Sequence, residues 1–186
     1  MAGALKALPV ALLAAVTLGT GGEGDTYRIL VGAALLASMA GDLFLLSRRR
    51  LVPGLLCFLT GHLLYISAFA PTAPIGAPAI LLVVPFLGFT LLVLRRLWPH
   101  LGRYRLPVGA YVFVITTMGW LATVRAVGGE VVPESGLTAM LGAFAFMASD
   151  ATLANDRFVR SFPSAQAVIM STYYLAQILL TLSAVV

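Results

Sequence analysis

Met39-Ala40-Gly41-Asp42 and Met147-Ala148-Ser149-Asp150 decide how this chain is read. Each places a carboxylate inside an apolar run long enough to cross a bilayer, while nearly every other charge stands at the end of such a run. A carboxylic acid at membrane depth is costly and marks function by default. Two near-copies of one tetrapeptide make coincidence a poor account. The rest of the chain reads as a scaffold that brings the two acids together.

Composition sets the class. Of 186 residues, 60% are hydrophobic and 10% charged, with a mean hydropathy of +0.99. A soluble domain carries about a quarter of its residues as charges, so this is an integral membrane protein. Apolar runs of about 20 residues select helices; barrel strands would be about 10 long and alternating. The net charge of +5 would hint at nucleic acid in a soluble protein. Here the arginines cluster in short loops, topology accounts for them, and no nucleic-acid partner is expected. The first apolar run lacks a strong basic leader and a cleavage site and is read as helix 1. Cys57 stands alone, which rules out an intrachain disulfide or a cysteine metal cluster.

The pattern predicts an all-α bundle, one transmembrane helical domain over residues 1–186 with about seven spans. They are expected at 4–18, 27–47, 52–70, 79–98, 106–127, 134–155 and 164–186, with a kink at Pro85. The N-terminal end and the 2–3, 4–5 and 6–7 connections hold ten of the twelve Lys and Arg residues. Glu23, Asp25, Glu130 and Glu134 fall on the other side with Arg28 and Arg125. The bias predicts a cytoplasmic N-terminus and an external C-terminus.

Helices 2 and 6 run in one direction and carry their acids at similar depth. Asp42 precedes Arg48 by six positions and Asp150 precedes Arg157 by seven, so both lie roughly 8–10 Å below the interface. Each is followed by a proline-started helix, with Pro53 before His62 and Pro163 before Thr172. These features suggest a weak parallel repeat, helices 1–3 against 5–7 with helix 4 as joiner, and a shared site at the interface. Ala33, Ala37 and Gly41 on helix 2, and Ala145 and Ser149 on helix 6, are expected to let backbones approach closely.

Polar side chains at membrane depth are few. They are Ser38 and Asp42; Thr60, His62, Tyr65 and Ser67; Thr116, Thr117, Trp120 and Thr123; Ser149, Asp150, Thr152 and Asn155; and, on helix 7, Gln166 and the run from Ser171 to Tyr174 with Gln177. Ser38 shares a face with Asp42, His62 with Tyr65, and Tyr173 and Tyr174 with Gln177. Helices 2, 3, 6 and 7 are therefore expected to converge on one polar pocket. Two carboxylates in a dry pocket do not both ionise, because desolvation and mutual repulsion disfavour the second charge. One acid beside one carboxylate is the arrangement of general acid–base catalysis. The competing structural reading is that each aspartate only ties helices together. A metal on Asp42, Asp150 and His62 has less support, since one intramembrane histidine is a poor ligand set.

The ordered set Gly41-Asp42, Gly61-His62-Leu63-Leu64-Tyr65, Ser149-Asp150-Ala151-Thr152-Leu153-Ala154 and Tyr173-Tyr174-Leu175-Ala176-Gln177 resembles the YhhN family of membrane proteins. Its characterised animal members are lysoplasmalogenases. Members usually carry eight helices; seven are read here, so the difference is expected at the N-terminal end. The resemblance implies hydrolysis of the vinyl ether of a lysoplasmalogen, giving a fatty aldehyde and a glycerophospho-headgroup, with the bilayer and a lysophospholipid as partners and no cofactor. Protonation at carbon gives an oxocarbenium ion, which glycosidases handle with two carboxylates. Asp42 and Asp150 are expected as acid and base or stabiliser, with His62 as the third catalytic residue, orienting the water or an aspartate. Tyr65, Tyr173, Tyr174, Gln177, Ser38 and Asn155 are expected around the substrate, and Arg48 at its phosphate.

The rival reading is a proton-coupled carrier, which paired intramembrane acids and a three-one-three parallel repeat of the SWEET type would suit. A carrier needs polar side chains toward both faces. Here the half remote from the arginine loops reads as nearly bare, which favours a site closed on one side.

Overall fold

The computed structural model describes residues 7–20, 26–128 and 131–186, without the Arg48 side chain. Lys6, Glu23, Asp25 and Glu130 lie outside that set. The described residues form seven α-helices: α1 (Leu8–Gly19), α2 (Thr26–Leu45), α3 (Leu51–Phe69), α4 (Ala77–Leu97), α5 (Arg105–Val127), α6 (Pro133–Ala154) and α7 (Ala165–Val185). No strand occurs among them.

Local chemistry sets the boundaries. Proline opens α1, α4 and α6 within the first two positions, where its missing N–H would have no helical partner anyway. Glu134 lies in the first turn of α6 and Arg95 and Arg96 in the last turn of α4, each matched to the helix dipole. Pro85 falls inside α4 without ending it. Six helices are long and apolar enough to cross a membrane. With 12 residues, α1 is about 18 Å long, less than the hydrocarbon thickness of about 30 Å.

Packing follows a ring: α1 on α2, α2 on α3, α3 on α5, α5 on α6, α6 on α7, and α7 back on α1. Helix α4 stands outside it against α5. Exchanging the triplets α1–α3 and α5–α7 maps every one of these ring contacts onto another. The connectivity thus has the form expected of the parallel repeat, with α2 and α6 on opposite sides of the ring.

Three expectations need correction. Of the Ala33–Ala37–Gly41 row only Gly41 is fully buried; the buried residues of α2 are Arg28, Val31, Gly32, Ala34, Leu35, Ser38 and Gly41. Ala33 and Ala37 are half-buried, and Ala37 still meets α3, its Cβ 3.7 Å from where a Gly61 Cβ would lie. Close approach is real at Gly41, where an added Cβ would lie 2.6 Å from the Phe58 ring, and at Gly61, where it would lie 3.2 Å from Ala34 O. Second, the helical stretch expected to end at Asn155 runs on as a turn of π-helix, Asn155–Val159. Asp156 Oδ1 accepts from Ser161 Oγ at 2.8 Å and from the Phe162 N–H at 3.4 Å, which closes the turn.

Third, the half remote from the arginine loops is not bare. Arg125 is buried there, its Nε 3.0 Å from Thr72 Oγ1 and its terminal nitrogens 3.0 and 2.9 Å from Ser135 O and Oγ. The guanidinium lies 4.4 Å from the centre of the Tyr27 ring, and Tyr27 OH is 2.8 Å from Ser183 Oγ. These groups border a cavity of about 480 Å³.

Candidate active site

Three elements of the ring supply one buried constellation. Helix α6 carries Asp150, α5 carries Tyr111 and α3 carries His62. The Tyr111 hydroxyl donates to Asp150 Oδ2, and the same hydroxyl lies 2.9 Å from His62 Nε2. His62 Nε2 is also 3.5 Å from Asp150 Oδ2. His62 is fully buried and Asp150 is 15% exposed, so the carboxyl is the most open group of the three.

Proton accounting follows. A phenol has one proton, so while Tyr111 donates to Asp150 its oxygen can only accept from His62, which must carry hydrogen on Nε2. His62 Nδ1 is buried without a hydrogen-bond partner among the described residues. A bare lone pair is better tolerated there than an unpaired N–H. The Phe146 ring meets the imidazole edge-on at 4.7 Å and fixes its plane.

The second acid has its own tyrosine. Tyr173 OH donates to Asp42 Oδ2 at 2.7 Å, which joins α7 to α2. Each acid therefore reaches the third helix of the opposite triplet, Asp42 to Tyr173 on α7 and Asp150 to His62 on α3. Phe146 packs against both clusters, 4.7 Å from the His62 ring and 5.5 Å from the Tyr173 ring. Each aspartate thus has its own tyrosine, and Phe146 lies as an aromatic wedge against both acid–tyrosine pairs. That wedge arises because Phe146, one turn before Asp150, faces the ring interior and is fully buried.

The remaining predicted residues divide. Tyr65 donates to Gln177 Oε1 at 3.2 Å, and both are fully buried. Gln177 lies one turn from Tyr173, whose ring is 5.6 Å from that of Tyr174. Ser38 is buried at the α2–α3 contact, beside the position a Gly61 Cβ would take. Asn155 is not brought to the acids; its Oδ1 accepts from Arg96 Nε at 2.8 Å. The Arg48 side chain lies outside the described residues. The hydroxyls of Thr60, Ser67, Thr116, Thr117, Thr123, Thr152 and Thr172 all donate one turn back on their own helices. They are therefore not free for a site, and Trp120 Nε1 donates to Ala79 O.

Tyr111 is the residue that sequence reasoning missed. A signal for it exists: it follows Arg105 by six positions, the spacing that puts Asp42 and Asp150 at their depth.

Asp150 and Tyr111 face a narrow cavity of about 50 Å³. Its other walls are apolar, among them Leu55, Phe58, Phe89, Ile115 and Met147, and Arg157 borders its arginine-rich end. Asp42 does not line it. Among the described residues no cluster of three or more His, Cys, Asp or Glu is placed to hold a metal ion.

The sequence model of the YhhN family matches residues 1–184. The chain belongs to the YhhN family. Relatives include the human lysoplasmalogenase TMEM86B, 38% identical over 184 residues, covering 97% of this chain and 74% of the relative. The bovine lysoplasmalogenase TMEM86A is 42% identical over 163 residues, covering 85% of this chain and 65% of that protein. The uncharacterized membrane protein YhhN of Escherichia coli O157:H7 is 31% identical over 164 residues, 86% of this chain and 76% of its own. No solved structure matches the chain. In this YhhN member the four motifs that carry the resemblance all border the two acid–tyrosine pairs or the Tyr65–Gln177 pair beside them.

Proposed function

We propose that this protein is a lysoplasmalogenase, which hydrolyses the vinyl ether of a single-chain alkenyl phospholipid. The observation that carries the reading is the Asp150 carboxyl, joined through Tyr111 to His62 and opening on an apolar cavity close to the arginine-rich end. The names of the relatives supply the reaction class, and the geometry supplies the parts.

A vinyl ether R–CH=CH–O–R′ hydrolyses by taking a proton on the carbon remote from oxygen. The double-bond electrons form that C–H bond, and the cation left behind is shared between the next carbon and oxygen. In the proposed cycle the protonated Asp150 carboxyl gives this proton. Its carboxylate then stands beside the oxocarbenium ion, stabilises it electrostatically and takes a proton from the attacking water. The hemiacetal collapses by breaking its C–O bond to the headgroup, yielding R–CH2–CHO and HO–R′. Water supplies one oxygen and two hydrogens, and the acid is regenerated. A cavity of about 50 Å³ leaves room for a few waters beside the bond.

Tyr111 and His62 hold the carboxyl in place: Tyr111 donates to Asp150 Oδ2, and the His62 Nε2–H donates to the Tyr111 oxygen. Asp42 has a different part in this account: with Tyr173 it orders α2 against α7 and positions the wedge. This departs from a scheme in which the two aspartates exchange protons directly. The acids lie near the cytoplasmic face in the orientation with the N-terminus inside and the C-terminus outside, which follows from the arginine bias.

The carrier reading draws on the cavity around Arg125 at the opposite end. Between it and Asp150 lie Leu35, Phe69, Met118 and Phe146, all fully buried, so the hydrolase reading is favoured. The test is aldehyde release from a vinyl-ether lysophosphatidylethanolamine by the purified protein, with the ester analogue as control. Release from the vinyl ether alone is expected; release from neither lipid overturns the reading.

A further inference from the structure

The cavity at Asp150 is one part of a longer feature. Helices α4 and α6 run in the same direction on either side of α5, and their facing residues pair at a nearly constant offset. At the arginine-rich end Arg96 meets Asn155, Nε to Oδ1, at 2.8 Å. Far along the seam Phe86 meets Phe144, with ring centroids 6.0 Å apart. Between these two contacts the helices stand apart, and α5 forms the back wall with Tyr111 and Ile115.

Three hollows occupy this seam, and their linings overlap. The outermost, about 360 Å³, is bordered by Arg96 and Asn155 and shares Val93 and Ala151 with the Asp150 cavity. The innermost, about 440 Å³, lies between Pro85 and Phe144 and shares Phe89 and Met147 with the same cavity. The order along the seam is thus a cationic, hydrogen-bonding mouth, the Asp150 carboxyl, a narrow point between Phe89 and Met147, and an apolar trough.

We propose that this α4–α6 seam is the binding groove for one single-chain phospholipid, with the phosphate-bearing head at Arg96 and Asn155 and the hydrocarbon chain threaded between Phe89 and Met147. The inference rests on the hydrolase reading for the position of the vinyl ether but not for the groove itself. Charge and polarity favour this occupant: the mouth carries Arg96 and Arg157, and the trough beyond the narrow point is almost wholly apolar. The single file at Asp150 admits one chain, which selects lysolipids over diacyl lipids. Asn155 acquires its place here, at the head of the substrate rather than beside the acids.

The first test is binding. A lysophosphatidylethanolamine with a diazirine near the end of its chain is photolysed with the full-length protein in nanodiscs, with and without excess unlabelled lysolipid. Competed adducts on Phe86, Phe89, Phe144 or Met147 are expected. Adducts spread evenly over the lipid-facing helices, or adducts that unlabelled lysolipid does not compete, overturn the groove. The second test is selectivity. Phe89→Trp should lower kcat/KM for a hexadecenyl substrate about tenfold or more relative to an octenyl one, and Phe89→Ala should reverse the direction. Equal effects on both chains in correctly folded variants also overturn it. Competed adducts at the seam without aldehyde release would sink the hydrolase reading and leave the groove standing. Aldehyde release with adducts elsewhere would do the opposite.

Discussion

The hydroxyl of Tyr111 donates to the carboxylate of Asp150. That bond joins α5 to α6 where the Asp150 carboxyl lines a cavity. Tyr111→Phe removes the bridge to His62 and leaves the ring in place. If Tyr111 holds the acid, aldehyde release falls roughly a hundredfold, within the range of general acid–base contributions. The thermal midpoint should move little, because the aromatic packing survives. Unchanged turnover would remove Tyr111 from the account.

In the proposed cycle His62 acts through Tyr111, as a positioning residue. His62→Gln can still offer an N–H to the tyrosine oxygen and should retain more activity than His62→Leu, which offers none. The comparison is made on kcat with KM followed separately, since neither change touches the groove. Equal loss in both variants would mean that the imidazole matters only for packing against Phe146.

Proton transfer to carbon leaves an isotopic mark. Hydrolysis in D2O, with the aldehyde trapped by reduction as it forms, should give product with one deuterium on the carbon next to the former carbonyl. Because the aldehyde needs a solvent hydrogen on that carbon by any route, timing is the test: turnover should be slower in D2O than in H2O, and equal rates would show that protonation at carbon does not limit the reaction.

Glycine positions test the packing that carries the site. At Gly142 an added Cβ would lie 2.9 Å from Leu180 Cγ, 3.1 Å from Leu180 N and 3.2 Å from Ala176 O, two of them backbone atoms that cannot swing away. Gly142→Ala should destabilise by about 1–3 kcal/mol, as overpacking does, read as a lower thermal midpoint. Gly88→Ala, with nothing within 4 Å of the new Cβ, should not.

Much of this was legible in the chain. Asp42 and Asp150 announce themselves because charge inside an apolar run has no cheap explanation. The ring contacts repeat with the two triplets because the sequence repeats Met-Ala-small-Asp in equivalent helices. What could not be read has physical causes. Tyr111 looks like any aromatic in an apolar helix, and only its depth sets it apart. The threonines of α5 look like site residues but spend their hydroxyls on their own helix. Arg125 reads as a topology charge, yet it is buried against Tyr27 and Ser135. The wedge of Phe146 against both acid–tyrosine pairs depends on which face of α6 turns inward, and a helix with small residues on several sides does not declare that.

The division of roles between the two acids gives the account its sharpest test. Aldehyde release is measured for wild type, Asp150→Asn and Asp42→Asn, purified in parallel and matched for thermal midpoint, on one vinyl-ether lysolipid. Asp150→Asn should lose activity by about a thousandfold or more, and Asp42→Asn by about tenfold or less, in keeping with a reacting group and a group that acts through packing. Equal and complete loss in both would contradict the division of roles and restore a scheme in which the two carboxylates act on the substrate together.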